Sequence, residues 1–254
     1  MLIICNGAIK SGSTWLFNIL INLVDCQNPP EEYLTGRSEK SPCIKPELLE
    51  QFLAEVDYEN NHYISKNHLN RPEYKALIQD NPHVFIFDIE RDPRDVVVSN
   101  YYHDCFRNDY KGSFEKYYWA EGRFVADQLA GYHNLWIDCG PRAYTSSYER
   151  LKEEFQPEAQ AIAAVLGIQL SDDGAEQLKA KTSIDSLRKN YQDDKRYQGE
   201  KFFRKGEVGD WKNHFDEKML ADIAAIKEKG IGRFDSGKLK KDMKEFFYPP
   251  GGLR

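Results

Sequence analysis

The chain has 254 residues, of which 41% are hydrophobic and 30% charged, with a net charge of −6. That length supports one large core, and the composition is globular rather than disordered. The acidic balance argues against a nucleic-acid partner, because little is gained by counterion release, while a locally positive cleft for a small anion stays compatible with it.

In chain order, the apolar run Leu2–Cys5 reads as a buried strand, and Ser13–Val24 as a helix with Leu16, Ile19, Leu20 and Leu23 at helical spacing. Residues 26–46, rich in Pro, Glu and Ser, read as an excursion over the surface. A helix is expected over Glu47–Val56 and a short strand over His62–Ser65, ending at Lys66-Asn67-His68. His83–Ile89 is the clearest buried strand, β-branched and aromatic throughout, and Pro93 suits the first turn of the helix behind it. A long helical region is expected over Phe114–Trp136, a fourth strand over Ala143–Ser147, and a helix from Tyr148. Glu158–Lys181 is expected to be mainly helical and the segment on to Gly199 loop-like. Strands alternating with helices imply a single α/β domain, residues 1–254, whose central parallel sheet is flanked by helices, with a ligand crevice at the carboxyl ends of its strands. Residues 235–254, charged and then Pro/Gly-rich, are expected to form a partly mobile tail.

Five scattered cysteines without a CxxC pair fit neither a disulfide framework nor a zinc site, and suit a reducing compartment. Met1 leads directly into the first strand, and no long apolar stretch is present, so a cytoplasmic protein with no membrane partner is expected.

Between the first strand and its helix lies Lys10-Ser11-Gly12-Ser13-Thr14-Trp15. Such a loop offers free amides, hydroxyls and one ammonium at a helix N-terminus, and each favours an anion. A charge-assisted bond from Lys10 is worth about 1.5–3 kcal/mol against about 0.3–1 for the helix dipole, so the lysine dominates. It precedes Gly12, two residues earlier than the lysine of the usual triphosphate loop. That register aims the ammonium at a bridging or leaving oxygen, and Trp15 offers a flat face to a purine. The same residues also fit a capped helix with Lys10 solvated and Trp15 in the core.

Arg91 ends the third strand and Ser99 lies about two turns into the following helix, a second candidate phosphate site. A third basic stretch, Arg204-Lys205-Gly206, stands in FRKGEVGDWKNHF, where the glycine lets backbone approach a ligand. Together the three stretches, in this order over residues 3–215, resemble the PAPS-dependent cytosolic sulfotransferases.

The resemblance implies that Lys10, Ser11, Gly12, Ser13 and Thr14 hold the 5′-phosphate of 3′-phosphoadenosine 5′-phosphosulfate, with Lys10 also reaching the bridging oxygen. It implies that Trp15, Tyr148 and the Thr182-Ser183 stretch flank the adenine, and that Arg91, Ser99, Arg204, Lys205 and Gly206 hold the 3′-phosphate. Lys66-Asn67-His68-Leu69 resembles the family's lysine-x-histidine-leucine segment, which makes His68 the base, assisted by Lys66, Lys10 and Ser99. Two departures stand out: Ile184 occupies the place of an adenine-stacking phenylalanine, and the family's dimerisation stretch is not recognisable after Phe215. The implied activity is sulfuryl transfer to a hydroxyl or amine of a small-molecule acceptor. No metal is expected, since the chain shows no HxH, ExxH or clustered carboxylates. Residues 26–46 and the aromatics of 101–119 are expected to line the acceptor pocket. Two alternatives stay open. One is a non-catalytic adenosine 3′,5′-bisphosphate-binding protein; the other is a small-molecule kinase, for which Asp88 is the tempting metal carboxylate.

Overall fold

The computed structural model describes residues 1–36, 40–137 and 139–229. The expected tail at 235–254 lies outside them. Among the described residues, four parallel strands form one sheet: β1 (Leu2–Cys5), β2 (Tyr63–Lys66), β3 (Val84–Glu90) and β4 (Ala143–Ser147), in the order β2-β1-β3-β4. Each strand falls within a residue of its expected place. The pleat sends alternate side chains to opposite faces. Leu2 and Ile4 pack on one side with Phe52, Tyr132 and Trp136, while Ile3 and Cys5 pack on the other with Leu16, Leu20 and Phe155. Both faces are therefore covered, which is why the strands read as unbroken apolar runs.

From β1 the chain crosses to β2 on one side, then passes back over β1 to β3 on the other. The loops leaving β1 and β3 diverge at that reversal, and a crevice opens at the carboxyl ends of the strands. Along the chain the helices are α1 (Ser13–Leu23), α2 (Leu49–Glu55), α3 (Pro72–Ile78) and α4 (Pro93–Arg107), followed by α5 (Phe114–Tyr117) and α6 (Arg123–Trp136) with one π-turn between them. Then come α7 (Tyr148–Glu153), α8 (Phe155–Val165), α9 (Asp172–Lys181), α10 (Ile184–Asn190) and α11 (Glu217–Lys229).

Two expectations need correction. Residues 26–46 are more than a surface excursion: Ile44 is fully buried, Tyr33 packs edge-on to Phe52, and Leu34 bridges Ile44. The segment after Lys181 contains α10, capped by the Ser183 hydroxyl, which accepts from the Ser186 amide. Among the described residues, no helix is long and apolar enough to cross a membrane.

Candidate active site

The loop leaving β1 turns on two residues in the left-handed region, Lys10 (φ 67°) and Gly12 (φ 108°). A Cβ at Gly12 would lie 2.6 Å from Tyr148 Cδ2, so only glycine fits there. Ser13 and Thr14 open α1, where amides have no intrahelical acceptor. Ser11 turns inward instead: its amide and its hydroxyl both donate to the Ala8 carbonyl (3.2 and 2.7 Å), and its side chain does not face the crevice. The Lys10 ammonium rests over the Phe202 ring, 4.0 Å from its centroid. Burial, then the neighbouring charges of Arg91 and Lys66, push its pKa down to about 7, with Arg204 adding to the effect and Asp104 opposing it.

Arg91 follows β3 directly. Its guanidinium stacks on Tyr148 (4.1 Å) and donates to the carbonyls of Lys10 (3.3 Å) and Glu207 (3.1 Å), tying the first loop to the basic stretch near residue 204. Asp92 caps α4, accepting from the Arg94 amide at 2.8 Å. Asp95 is buried and accepts from the amides of Gly209 (2.7 Å) and Trp211 (2.9 Å), which fixes the turn behind Arg204-Lys205-Gly206. Within that stretch, Asp210 binds Arg204 at 2.5 Å and Lys205 at 2.8 Å. Burial opposes the Asp210 charge, yet hydrogen bonds from Arg204, Lys205 and Asn213 hold its carboxyl well below the usual range. Arg188 of α10 reaches the Phe203 carbonyl at 2.8 Å and also that of Arg204. Gly206 (φ 65°) tolerates no side chain, since a Cβ would sit 2.6 Å from Ile184 Cδ1.

His68 follows β2. Its Nδ1 lies 2.5 Å from the Gly7 carbonyl, which can only accept, so Nδ1 carries the hydrogen and the neutral ring has its lone pair on Nε2. Gly7 is pinned from its other side, its amide donating to the Tyr132 hydroxyl at 2.7 Å. Leu69 is held as firmly: its amide donates to Asn6 Oδ1 (2.9 Å) and its carbonyl accepts from Trp136 Nε1 (2.8 Å). The histidine thus hangs from a rigid backbone. Lys66, the last residue of β2, is buried with its side chain in the same crevice.

These side chains share one cleft of about 290 Å³. It brings together Lys10, Gly12, Ser13, Thr14, Trp15, Lys66, His68, Arg91, Ser99, Tyr148, Thr182, Arg204, Lys205 and Gly206, every expected site residue except Ser11. Thr182 contributes without its hydroxyl, which donates to the Leu178 carbonyl at 2.8 Å. Trp15 sits edge-on to Tyr148 (5.4 Å) and near-parallel to Phe155 (6.2 Å), partly in the core and partly on the cleft wall. Ile184 lines the wall where a stacking ring was looked for. Three buried donors on cleft-lining residues, Arg91 Nε, Trp15 Nε1 and the Tyr197 hydroxyl, have no hydrogen-bond partner within the protein. Orphaned donors, clustered cations and two obligatory glycines suit a polyanionic nucleotide.

The expected acceptor walls need revision. Among the described residues, from 101–119 only His103 and Arg107 line the cleft, and from 26–46 none does. Tyr101 packs instead against Tyr110, Phe114 and Tyr117. His103 lies within α4. Phe202, Arg196, Lys152 and Asp95 are cleft residues that sequence reasoning did not single out. Asp88, the carboxylate a kinase reading needs, is buried and is not among the described residues that line the cleft; burial pushes it up to about 7, against the pull of the Ile89 amide and the Tyr132 hydroxyl.

A parallel sheet with a glycine-bearing loop after β1, a guanidinium at the end of β3 and an imidazole after β2 thus gathers its cationic side chains in one cleft at the carboxyl edge of the strands. The sulfotransferase domain profile matches residues 2–244, and the chain belongs to that family of PAPS-dependent transferases. It is similar to sulfotransferase 6B1 of Danio rerio, 28% identical over 225 residues (82% of this chain and 71% of the relative), and to human sulfotransferase 1E1, 26% identical over 223 residues (81% and 75%). The fold is shared with mouse sulfotransferase SULT7A1 complexed with PAP (TM-score 0.64, 21% identity, 95% of this chain and 87% of that one). It is shared equally with retinol dehydratase in complex with androsterone and inactive cofactor PAP (TM-score 0.65, 19% identity, 92% and 81%).

Proposed function

We propose that the chain moves a sulfuryl group from 3′-phosphoadenosine 5′-phosphosulfate to a hydroxyl of a small-molecule acceptor, with His68 as general base. The observation that carries this reading is the convergence of Lys10, Arg91, Arg204 and Lys205, from three distant stretches of chain, on the cleft that also holds His68. Structural neighbours hold PAP, and one holds androsterone as well, which supports a nucleotide donor and a small organic acceptor.

Arg91, Ser99, Arg204, Lys205 and the Gly206 backbone receive the 3′-phosphate. Lys10 and the Gly12–Thr14 turn receive the 5′-phosphate. His68 Nε2 takes the acceptor's proton as the acceptor oxygen bonds to sulfur. The bond from sulfur to the bridging oxygen breaks, and its electron pair stays on the 5′-phosphate, where Lys10 neutralises the new charge. Lys66 steadies the sulfuryl oxygens between the two. In-line transfer of this kind needs charge stabilisation and alignment more than covalent chemistry.

Labelled donor offered to a panel of phenols, alcohols, amines and sugars tests the reading. Label should pass to an organic acceptor, and His68→Ala should stop the transfer while adenosine 3′,5′-bisphosphate still binds. Tight binding without transfer to any acceptor would favour a non-catalytic nucleotide-binding role.

A further inference from the structure

Along α4, Ser99, His103 and Arg107 fall four residues apart on one face, and all three line the cleft. At 1.5 Å per residue, Arg107 stands about 12 Å along the helix from Ser99, beyond the position given to the 3′-phosphate. Between them, His103 packs edge-on to Phe202 at 6.3 Å, the ring that carries the Lys10 ammonium. The cleft therefore continues past Lys10 along α4, toward Arg107.

Arg196 lines the same cleft. Its guanidinium lies 5.9 Å from the ring of its neighbour Tyr197, which in turn packs edge-on to Phe202 at 4.7 Å. Tyr197 is 1% exposed, lines the cleft, and its hydroxyl has no hydrogen-bond partner within the protein. A buried hydroxyl left this way costs about 1–3 kcal/mol unless a bound group supplies the partner.

Charge follows the same division. The acidic residues on the wall are Asp95, Glu207 and Asp210. Asp95 is engaged by two backbone amides, and Asp210 and Glu207 face Arg204 and Lys205 or Lys205 alone. Neither Arg107 nor Arg196 forms an ion pair among the described residues, and Lys201, 5.1 Å from the Phe106 ring that Arg107 also neighbours at 5.6 Å, adds a third cation at that end. The donor's phosphates are already matched by Lys10, Arg91, Arg204 and Lys205. The outer half of the cleft is thus apolar at Phe202, cationic at its edge, and short of a hydrogen-bond acceptor at Tyr197.

Taking the sulfotransferase reading as its basis, we propose that the acceptor is a hydroxylated organic anion. Its carboxylate or sulfonate is held by Arg107 and Arg196, its apolar body lies against Phe202, and its hydroxyl faces His68. The Tyr197 hydroxyl donates to the anionic group or to the body's polar substituent. Arg107 and Arg196 are then specificity residues, choosing the acceptor without touching the reacting atoms.

The test compares four probes with labelled donor: para-hydroxyphenylpropanoate, its methyl ester, para-hydroxybenzenesulfonate and tyramine. The kcat/KM ratio of acid to ester should be about ten- to a hundredfold, the range of one charge-assisted contact, with tyramine poorest. The sulfonate decides whether charge alone suffices or carboxylate geometry is needed. In the Arg107→Ala/Arg196→Ala double variant the acid-to-ester ratio should fall to about one, and in the double lysine variant most of it should return. An ester as good as the acid, or a preference that survives the double alanine variant, overturns the inference. Should no probe be sulfated and the wider panel of alcohols, amines and sugars also stay unlabelled, it is the transfer reading that fails. Calorimetry of the acid and ester on protein loaded with adenosine 3′,5′-bisphosphate then decides the inference separately: acid-selective binding lost in the double alanine variant upholds it, and equal binding overturns it.

Discussion

Binding of adenosine 3′,5′-bisphosphate should draw a proton from solution at pH 8, and Lys10 is the group that takes it. In the empty cleft, burial and the charges of Arg91 and Lys66 hold its pKa at about 7. One pH unit above that value, about a tenth of the lysine is protonated. A phosphate beside it supplies the missing counter-charge and raises the pKa toward the ordinary lysine range, so about 0.9 proton is taken up per nucleotide bound. The phosphates release almost none at this pH, since a second phosphate pKa near 6 leaves about 99% already dianionic. The sign follows: affinity is greatest between about pH 6 and 7, where the phosphates are dianionic and Lys10 is charged, and falls roughly tenfold per pH unit above pH 8. Isothermal titration calorimetry in buffers of different ionisation enthalpy measures the uptake directly. Lys10→Arg, charged at every accessible pH, should abolish it while keeping a cation in place. Absence of uptake in the wild type, or unchanged uptake in Lys10→Arg, would refute the electrostatic picture of the loop.

His68→Ala should lower transfer by about 10²–10⁴ while the affinity for adenosine 3′,5′-bisphosphate changes only a few-fold; equilibrium binding beside turnover checks both halves. Gly12→Ala places a methyl group 2.6 Å from the Tyr148 ring at a positive φ, so a stability loss of about 1–3 kcal/mol and weakened nucleotide binding are expected, read by denaturant melts and calorimetry. Tyr132→Phe removes the acceptor of the Gly7 amide. It should cost about 1–3 kcal/mol in urea unfolding and lower turnover more than nucleotide affinity, because Gly7 in turn positions His68.

Much of this was readable from residue patterns, for physical reasons. The strands are buried on both faces, so Leu2–Cys5 and Val84–Glu90 stand out as apolar runs. Lys66 and Arg91 stand at strand ends and Lys10 in the loop after β1, where chain direction alone sends them to the crevice, while Arg204 and Lys205 are marked by the glycine that follows them. What escaped notice depends on contacts distant in sequence. Asp95 looks like a helix-surface charge until the amides of Gly209 and Trp211 are seen to fold onto it. Helix α10 buries little beyond Leu187, so its pattern carries almost no periodic signal. Phe202 gains its role only through Lys10, and the tyrosines of 101–117 look like pocket residues because composition cannot tell rings that pack together from rings that face a ligand.

The most direct measurement is a crystal structure with adenosine 3′,5′-bisphosphate bound. The 3′-phosphate should lie within hydrogen-bond distance of Arg91, Ser99, Arg204 and Lys205, and the 5′-phosphate against Lys10 and the start of α1, with the His68 imidazole directed at the space beyond it. A nucleotide seated elsewhere, or one whose phosphates leave Lys10 and Arg204 on different sides of the ligand without contact, would contradict the account.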